Sequence, residues 1–228
     1  MHPAPHADAR RRIVDDLVAR GAVAVVRLPD AERALAVVDA LAAGGVTAIE
    51  LTLTTPGALE LIATLRKAGG DALLVGAGSV LDADTARRAV EAGATYVVSP
   101  VFRAEVVAES HRQGVPAMPG AYTPTEILTA HEAGADVVKV FPADTLGPAY
   151  LKGVMAPMPF LRLMPTGGVT PANVGDWLRA GAVAAGLGSA LVDAKLVAAN
   201  DMAAITARAR QTSENVAAVR GALTGVGA

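Results

Sequence analysis

A lysine stands in the middle of residues 136–142 (DVVKVFP), a stretch otherwise suited to a buried strand. β-Branched and aromatic residues surround it, and the closing proline cannot donate to a sheet ladder. Burial disfavours the charged form of an amine, and a neutral amine is a nucleophile that forms Schiff bases with carbonyl compounds. Lys139 is therefore a candidate nucleophile. The alternative is a lysine that extends to a sheet edge or pairs with one carboxylate.

A carboxylate occupies a comparable position in residues 47–53 (TAIELTL), which also read as a strand. Strand alternation places Ala48, Glu50 and Thr52 on one face and Ile49, Leu51 and Leu53 on the other. We expect the small polar face to point into the fold and the aliphatic face toward helices. A buried glutamate near a buried lysine is either a structural ion pair or an acid/base group beside an amine nucleophile.

A repeated helix stop organises the chain around these two residues. Glycines at 21, 45, 69–70, 93, 114, 134 and 181 each precede a hydrophobic run, at spacings of 20 to 24 residues with one gap of 47. Glycine after a helix adopts the left-handed conformation readily, and a strand follows. Pro157 and Pro159 supply the stop that lacks a glycine in the long gap.

The predicted strands are residues 22–27, 47–52, 72–76, 95–99, 116–118, 136–141, 161–165 and 184–187. Amphipathic helices lie between them, with N-caps expected at Asp30, at Asp82 or Asp84, at Thr123 with Glu126, and at Thr170 before Pro171. This alternation predicts an α/β fold, a single (β/α)8 TIM barrel over residues 13–228, after a flexible tail at 1–12 that leads into a short N-terminal helix. A doubly wound sheet is the alternative, but residues 25–29 (VVRLP) lack its phosphate-binding glycines.

Active sites of such barrels lie at the carboxyl ends of the strands. Gly167 and Gly168 follow the seventh predicted strand, and Gly188 and Ser189 follow the eighth. Glycine turns in these two places are typical of a phosphate-binding cradle built from backbone N–H groups, although tight turns alone also use glycine. Other strand ends add candidate substrate contacts at Arg27, Pro100 and Phe141.

Composition excludes several classes of function. The net charge is −2, with no basic cluster beyond the first dozen residues, so nucleic acid is not an expected partner. No apolar run approaches the ~18 residues of a membrane span, and the N-terminus lacks the apolar core of a secretory signal. The chain has no cysteine, which excludes disulfides and fits a cytoplasmic location. No histidine lies at a strand end, so no metal site is predicted; Mg²⁺ on Glu50 and Asp144 is the alternative.

Seven motifs in order, IELTLTTPGAL, GAGSVLDAD, YVVSP, MPGAYTPTEI, VVKVFPAD, PTGGVTPANV and GLGSALV, resemble the 2-keto-3-deoxy-6-phosphogluconate (KDPG) aldolase family over roughly residues 20 to 193. Some members also cleave 4-hydroxy-2-oxoglutarate (KHG). The resemblance implies a class I aldolase without a cofactor, usually a homotrimer. It implies cleavage of the phosphorylated keto-deoxy acid to pyruvate and glyceraldehyde 3-phosphate.

The same resemblance assigns roles to individual residues. It makes Lys139 the Schiff-base lysine, Glu50 the general acid/base, and Gly167, Gly168, Gly188 and Ser189 the phosphate-binding positions. Ser79 stands where many members have a threonine that contacts the pyruvyl carboxylate. Thr54 departs from the family, since many members have an arginine there that pairs with the substrate carboxylate. We expect Thr54, Ser79 and Arg27 to bind that carboxylate instead.

Other interpretations stay open from the sequence. The main substrate could be KHG or the C4-epimeric phosphogalactonate. A phosphate-binding barrel with isomerase or thiamin-phosphate-synthase-like transferase activity would share the glycine turns, but it needs no lysine inside strand six. A catalytically silent binding barrel gains little from two buried charges.

Overall fold

Glycines end most of the helices, as the repeating pattern predicts. The computed structural model describes residues 6–29 and 32–224, with side chains described up to residue 222. Within these ranges, Gly21, Gly45, Gly70, Gly93, Gly114, Gly134 and Gly181 all have positive φ angles. L-residues with a Cβ rarely adopt this conformation, so each glycine lets the chain leave a helix and enter the next strand or loop.

The described ranges contain nine short strands and ten α-helices. The strands are β1 Ala22–Val26, β2 Ala48–Thr52, β3 Leu74–Gly78, β4 Val97–Val98, β5 Ala117–Met118, β6 Gly120–Ala121, β7 Val138–Val140, β8 Leu163–Pro165 and β9 Ala185–Leu187. The helices are α1 Ala7–Arg20, α2 Ala34–Ala43, α3 Ala58–Gly69, α4 Ala83–Glu91, α5 Ala104–Arg112, α6 Pro124–Glu132, α7 Gly147–Met155, α8 Val174–Arg179, α9 Ala194–Ala198 and α10 Met202–Thr224.

The strands are parallel and form a curled sheet in two parts. One part has the order β5-β4-β3-β2-β1-β9 and the other β6-β7-β8. Only Pro119 separates β5 from β6, and a parallel bridge between Thr166 and Gly186 joins the β8 side to β9. The strands therefore surround a common interior, and the predicted barrel-type fold is confirmed.

The fifth predicted strand, 116–118, continues beyond its predicted end and is divided by a proline. Pro119 has no N–H to donate, although its carbonyl still accepts from the Lys139 N–H. Other boundaries shift by a few residues. A 3₁₀ turn occupies Gly70–Ala72, so β3 starts later than residue 72, and β4 is shorter than 95–99.

Helix starts follow the predicted caps in part. Asp82 caps α4, and Thr123 with Glu126 forms a reciprocal capping box on α6. The start at Thr170–Pro171 was wrong as a helix boundary: Thr170 exchanges hydrogen bonds with Asn173, and α8 begins only at Val174. The expected cap at Asp30 lies outside the described residues.

Alternate residues along the strands belong to two different apolar layers, one inside the barrel and one between the strands and the helices. Ile49 and Leu51 pack in the outer layer against the helices, whereas Ala48 lies in the inner cluster, as predicted for residues 47–53. Val14 and Leu17 of α1 belong to the same inner cluster, so α1 covers the end of the barrel where the strands begin. None of the described helices is long and apolar enough to cross a membrane.

The predicted N-terminal tail overlaps this covering helix. Helix α1 begins at Ala7, so the second half of the 1–12 segment is helical, and residues 1–5 lie outside the described ranges. The division into a tail and one barrel domain stays a prediction.

Candidate active site

The two buried charges of the sequence meet inside the barrel. Lys139 Nζ lies 3.2 Å from Glu50 Oε1, and the two residues are only 6 % and 1 % exposed. Lys139 comes from the middle of β7 and Glu50 from the middle of β2, where the expected inward alternation points both toward the interior. The pair places a proton acceptor directly beside an amine, which suits proton transfer during imine formation.

Two glycines on the neighbouring strand make room for Glu50 and for Tyr96. Gly76 and Gly78 of β3 pair in register with Glu50 and Thr52. A Cβ on Gly78 would overlap Glu50 Oε1, and one on Gly76 would overlap the ring of Tyr96. Oε2, the second carboxylate oxygen, is buried and accepts no hydrogen bond from any described group. Oε1 therefore contacts Lys139, whereas Oε2 has no hydrogen-bond partner among the described groups.

A cavity of about 480 Å³ opens beside this pair at the carboxyl ends of the strands. It is lined by Val25, Arg27, Phe141, Thr166, Gly167, Gly168, Val169, Thr170, Gly188, Ser189, Ala190, Val192 and Ala194. Phe141 connects it to the lysine, since Lys139 Nζ lies 5.3 Å from the centre of the Phe141 ring. The cavity is large enough for a small metabolite.

One side of the cavity is rich in hydrogen-bond donors. The backbone N–H groups of Gly168, Ser189 and Ala190 donate to no acceptor in the described ranges. Gly167 and Gly168 have positive φ angles, and a Cβ on Gly168 would come within 2.8 Å of Asp144. Arg27 lines the same cavity with its exposed side chain. Free N–H groups beside a guanidinium suit a phosphate or carboxylate.

The predicted substrate-binding residues divide into two groups. Arg27, Phe141, Gly167, Gly168, Gly188 and Ser189 line this cavity, but Thr54, Ser79 and Pro100 do not. Thr54 is exposed and its hydroxyl lies 3.1 Å from that of Thr52. Ser79 follows Gly78 with a φ of 63°, and the Pro100 carbonyl packs against Gly120. The structure leaves the roles of these three residues as predictions.

The predicted site residues do not include Thr166, which also lines the cavity. Its Oγ1 is buried, has no partner among the described groups, and belongs to a residue that lines the cavity. A Cβ on Gly186 would overlap this hydroxyl, so that glycine is needed for Thr166 to fit. The signal available in the sequence was the alternation of strand faces. Lys139 and Met164 face the interior at paired positions of β7 and β8, and Thr166 continues that inward face beyond β8.

Metal ligation has little support from the side chains present. In the described ranges, no group of three or more His, Cys, Asp or Glu side chains could hold a metal ion. Asp144, the proposed partner of Glu50 in a Mg²⁺ site, instead accepts a hydrogen bond from the Thr145 N–H. Glu50 and Asp144 therefore belong to no such group of three within the described ranges.

Comparison with known proteins identifies the family. The family model described as KDPG and KHG aldolase matches residues 14–208. The 2-dehydro-3-deoxy-phosphogluconate aldolase of Treponema pallidum is 40% identical over 85% of this chain and 92% of its own length. The 2-dehydro-3-deoxy-6-phosphogalactonate aldolase of Escherichia coli K12 is 37% identical over 74% of this chain and 83% of its own.

A solved structure agrees with these matches. KDPG aldolase from Legionella pneumophila, with pyruvate captured as a covalent carbinolamine, superposes with a TM-score of 0.81 at 27% identity. The match covers 88% of this chain and 97% of that one. The chain belongs to the KDPG and KHG aldolase family and is an aldolase, a carbon–carbon lyase.

Proposed function

We propose that this protein is a Schiff-base aldolase that cleaves 2-keto-3-deoxy-6-phosphogluconate to pyruvate and glyceraldehyde 3-phosphate. The observation that carries the proposal is the buried contact between Lys139 Nζ and Glu50 Oε1 beside a cavity rich in N–H donors. The family match and the relative named for the gluconate-derived substrate support the same activity.

In the proposed reaction Lys139 is the nucleophile and Glu50 transfers the protons. Glu50 takes the ammonium proton of Lys139, and the neutral amine adds to the C2 ketone of the substrate. The carbinolamine hydroxyl leaves as water with a proton from Glu50, which gives an iminium. The ionised Glu50 then removes the C4 hydroxyl proton, directly or through one water. The C3–C4 bond breaks, its electron pair passes into the iminium to give an enamine, and the aldehyde departs.

Release of pyruvate reverses the first half. The enamine takes a proton at C3 and becomes an iminium again. Water adds to that iminium, and breakdown of the carbinolamine returns pyruvate and the free amine. The protein residues that move protons in this scheme are Lys139 and Glu50, and the iminium accepts the electron pair.

The cavity orients the substrate. The keto end reaches Lys139 past the Phe141 ring, and the phosphate lies toward Gly168 and Ser189, where backbone N–H groups are free. Arg27 lines the same cavity, so we now assign it to the phosphate rather than to the carboxylate. The unpartnered Thr166 hydroxyl is available to a hydroxyl of the substrate chain.

Reductive trapping tests the proposal. Pyruvate with borohydride should add irreversibly to Lys139 and abolish activity, because borohydride reduces the imine that only a neutral amine forms. Peptide mapping locates the adduct. Lys139→Arg should form no adduct and be inactive, since guanidinium stays protonated at any working pH. An adduct at Lys67, Lys152 or Lys195, or none at all, excludes the mechanism.

Two further properties belong to the same proposal. The family resemblance supports a homotrimer, which sedimentation velocity of the purified protein would measure. The absence of cysteine fits a reducing compartment, and we propose a cytoplasmic location.

A further inference from the structure

Tyr96 is a buried phenol that the proposed mechanism does not use. Its side chain is 0% exposed, and its Oη makes no hydrogen bond to any group in the described part of the chain. Phenylalanine would fill the same apolar space without a hydroxyl to desolvate. A buried hydroxyl is therefore expected to have a partner in the working protein.

The sheet register places Tyr96 two strands from Glu50, on the same interior face. Glu50 of β2 pairs with Gly76 of β3, and the pairing of Ala77 with Val97 sets Tyr96 level with Gly76. The Tyr96 ring covers Gly76, where a Cβ would overlap the ring atoms Cε2 and Cζ. In this register Gly76, which has no side chain, is the β3 residue that lies between Tyr96 and Glu50.

Glu50 offers the matching acceptor. Its Oε1 faces Lys139, whereas its Oε2 is buried without a partner among the described groups. A buried donor and a buried acceptor thus lie in one row of the barrel interior, and neither has a hydrogen-bond partner within residues 6–29 and 32–224.

We propose that Tyr96 is a positioning residue, whose hydroxyl donates to Glu50 Oε2 through a bound water molecule and fixes the carboxylate with Oε1 toward Lys139. This inference rests on the proposed role of Glu50. Burial, and then the charge of Glu50, raises the pKa of Tyr96 well above its usual value, while Arg20 acts in the opposite direction. The phenol therefore stays protonated and able to donate at working pH.

Tyr96→Phe tests the role with the loss of one oxygen atom. We expect kcat to fall about tenfold while KM stays unchanged, because substrate binding does not depend on the orientation of Oε1. Thermal unfolding should show a folded variant. Tyr150→Phe is the matched control, since its hydroxyl donates to the Tyr122 carbonyl, away from Glu50. Its kcat should match that of the parent protein.

A double-mutant cycle separates positioning from a general packing effect. In a Glu50→Gln background, Tyr96→Phe should cause no further loss, because the group it positions is already gone. The inference is overturned if Tyr96→Phe keeps the parent kcat, or if it causes the same fold-loss in both backgrounds. A parent protein that traps no pyruvate would overturn the proposed function as well, which distinguishes the two failures.

Discussion

At the scale of single residues, a missing side chain sets the position of Glu50. Gly78 lies beside Glu50 on the neighbouring strand, and a Cβ there would overlap Oε1. Gly78→Ala should push the carboxylate away from Lys139 and lower kcat by about 10- to 100-fold, since small misplacements of reacting groups cost up to about 10²-fold. Steady-state kinetics on the folded variant measures this.

A second glycine provides the control for that substitution. Gly153 lies in α7, where an added Cβ meets nothing within 4 Å. Gly153→Ala should keep the parent kcat and stabilise the protein by up to about 1 kcal/mol, the difference between the two residues in a helix. Equal activity losses in both variants would show that Gly78 has no special relation to Glu50.

The carboxylate itself is tested by Glu50→Gln. The amide keeps the size of the side chain but cannot accept the Lys139 proton, so the rate should fall by about 10²–10⁴-fold, the usual contribution of a positioned acid/base. Pyruvate binding and the circular dichroism spectrum should stay as in the parent. A variant that unfolds, with parental turnover per folded molecule, would make Glu50 a structural ion-pair partner instead.

The sequence predicts this site unevenly at the residue scale. Lys139 and Glu50 can be predicted from the sequence because a charge inside an apolar strand is costly without a partner. Strand alternation also predicts the face on which each side chain lies. Thr166 carries no charge, so only its place on the inward face that continues beyond β8 indicates a position in the interior. The grouping of Arg27 with the glycine turns depends on the three-dimensional cavity, which neither spacing nor alternation specifies.

At the scale of elements, α6 starts with a complete capping box. Thr123 accepts from the Glu126 N–H, and the Glu126 carboxylate accepts from the N–H groups of Thr123 and Tyr122. Thr123→Ala should lower the free energy of unfolding by about 1 kcal/mol, the usual effect of losing an N-cap side chain. Urea unfolding of the two proteins gives the difference, and an unchanged midpoint would show that the cap adds nothing.

The same box gives a prediction for pH. Hydrogen bonds from the backbone N–H groups of Thr123 and then Tyr122 lower the pKa of Glu126 in the folded protein. A carboxyl whose pKa is lower when folded stabilises the protein above its unfolded pKa of about 4.3, and this stabilisation is lost as pH falls through the folded value. The stability gap between the parent and Glu126→Gln should therefore be largest near neutral pH and shrink in acid. A gap independent of pH between neutral and acid conditions would contradict this.

The boundaries of helices and strands show which local features the sequence predicts and which it does not. The capping motif of α6 is local, so residues 123–126 alone predict it. The Thr170 motif looks similar, yet its hydrogen bonds with Asn173 close a turn before α8 instead of starting the helix at Pro171. The break of the fifth strand at Pro119 depends on which neighbours pair on each side, and the sequence does not specify those partners.

At the scale of the whole molecule, the barrel brings together groups that are distant in the chain. Glu50 and Lys139 are 89 positions apart but touch, because strands from both halves of the chain enclose one interior. Helix α1 covers the opposite end of that interior with Val14 and Leu17. Access to Lys139 is therefore from the carboxyl ends of the strands, where the cavity lies.

The shape of that cavity predicts the preferred substrate. If the free N–H groups of Gly168, Ser189 and Ala190 bind a phosphate, each charge-assisted hydrogen bond contributes roughly 1.5–3 kcal/mol before costs. 4-Hydroxy-2-oxoglutarate has no phosphate and is too short to reach these donors from Lys139, so it cannot use that binding energy to hold the breaking bond in place. We expect kcat/KM to favour the phosphorylated six-carbon acid by at least about 10²-fold, equivalent to roughly 2.7 kcal/mol.

A negative charge introduced at Ser189 tests the cause of that preference. Ser189→Asp should repel the phosphate and remove most of the preference, while kcat/KM for 4-hydroxy-2-oxoglutarate stays within about twofold, because we propose that Ser189 contacts only the phosphate. The C4-epimeric phosphogalactonate carries the same phosphate, so its kcat/KM should fall in parallel with that of the gluconate-derived acid. Coupled assays of the aldehyde and pyruvate products compare the three substrates on the parent and the variant. Equal efficiencies in the parent, or equal losses on the short and long substrates in the variant, would mean that residues 167–168 and 188–189 form turns and do not bind the substrate phosphate.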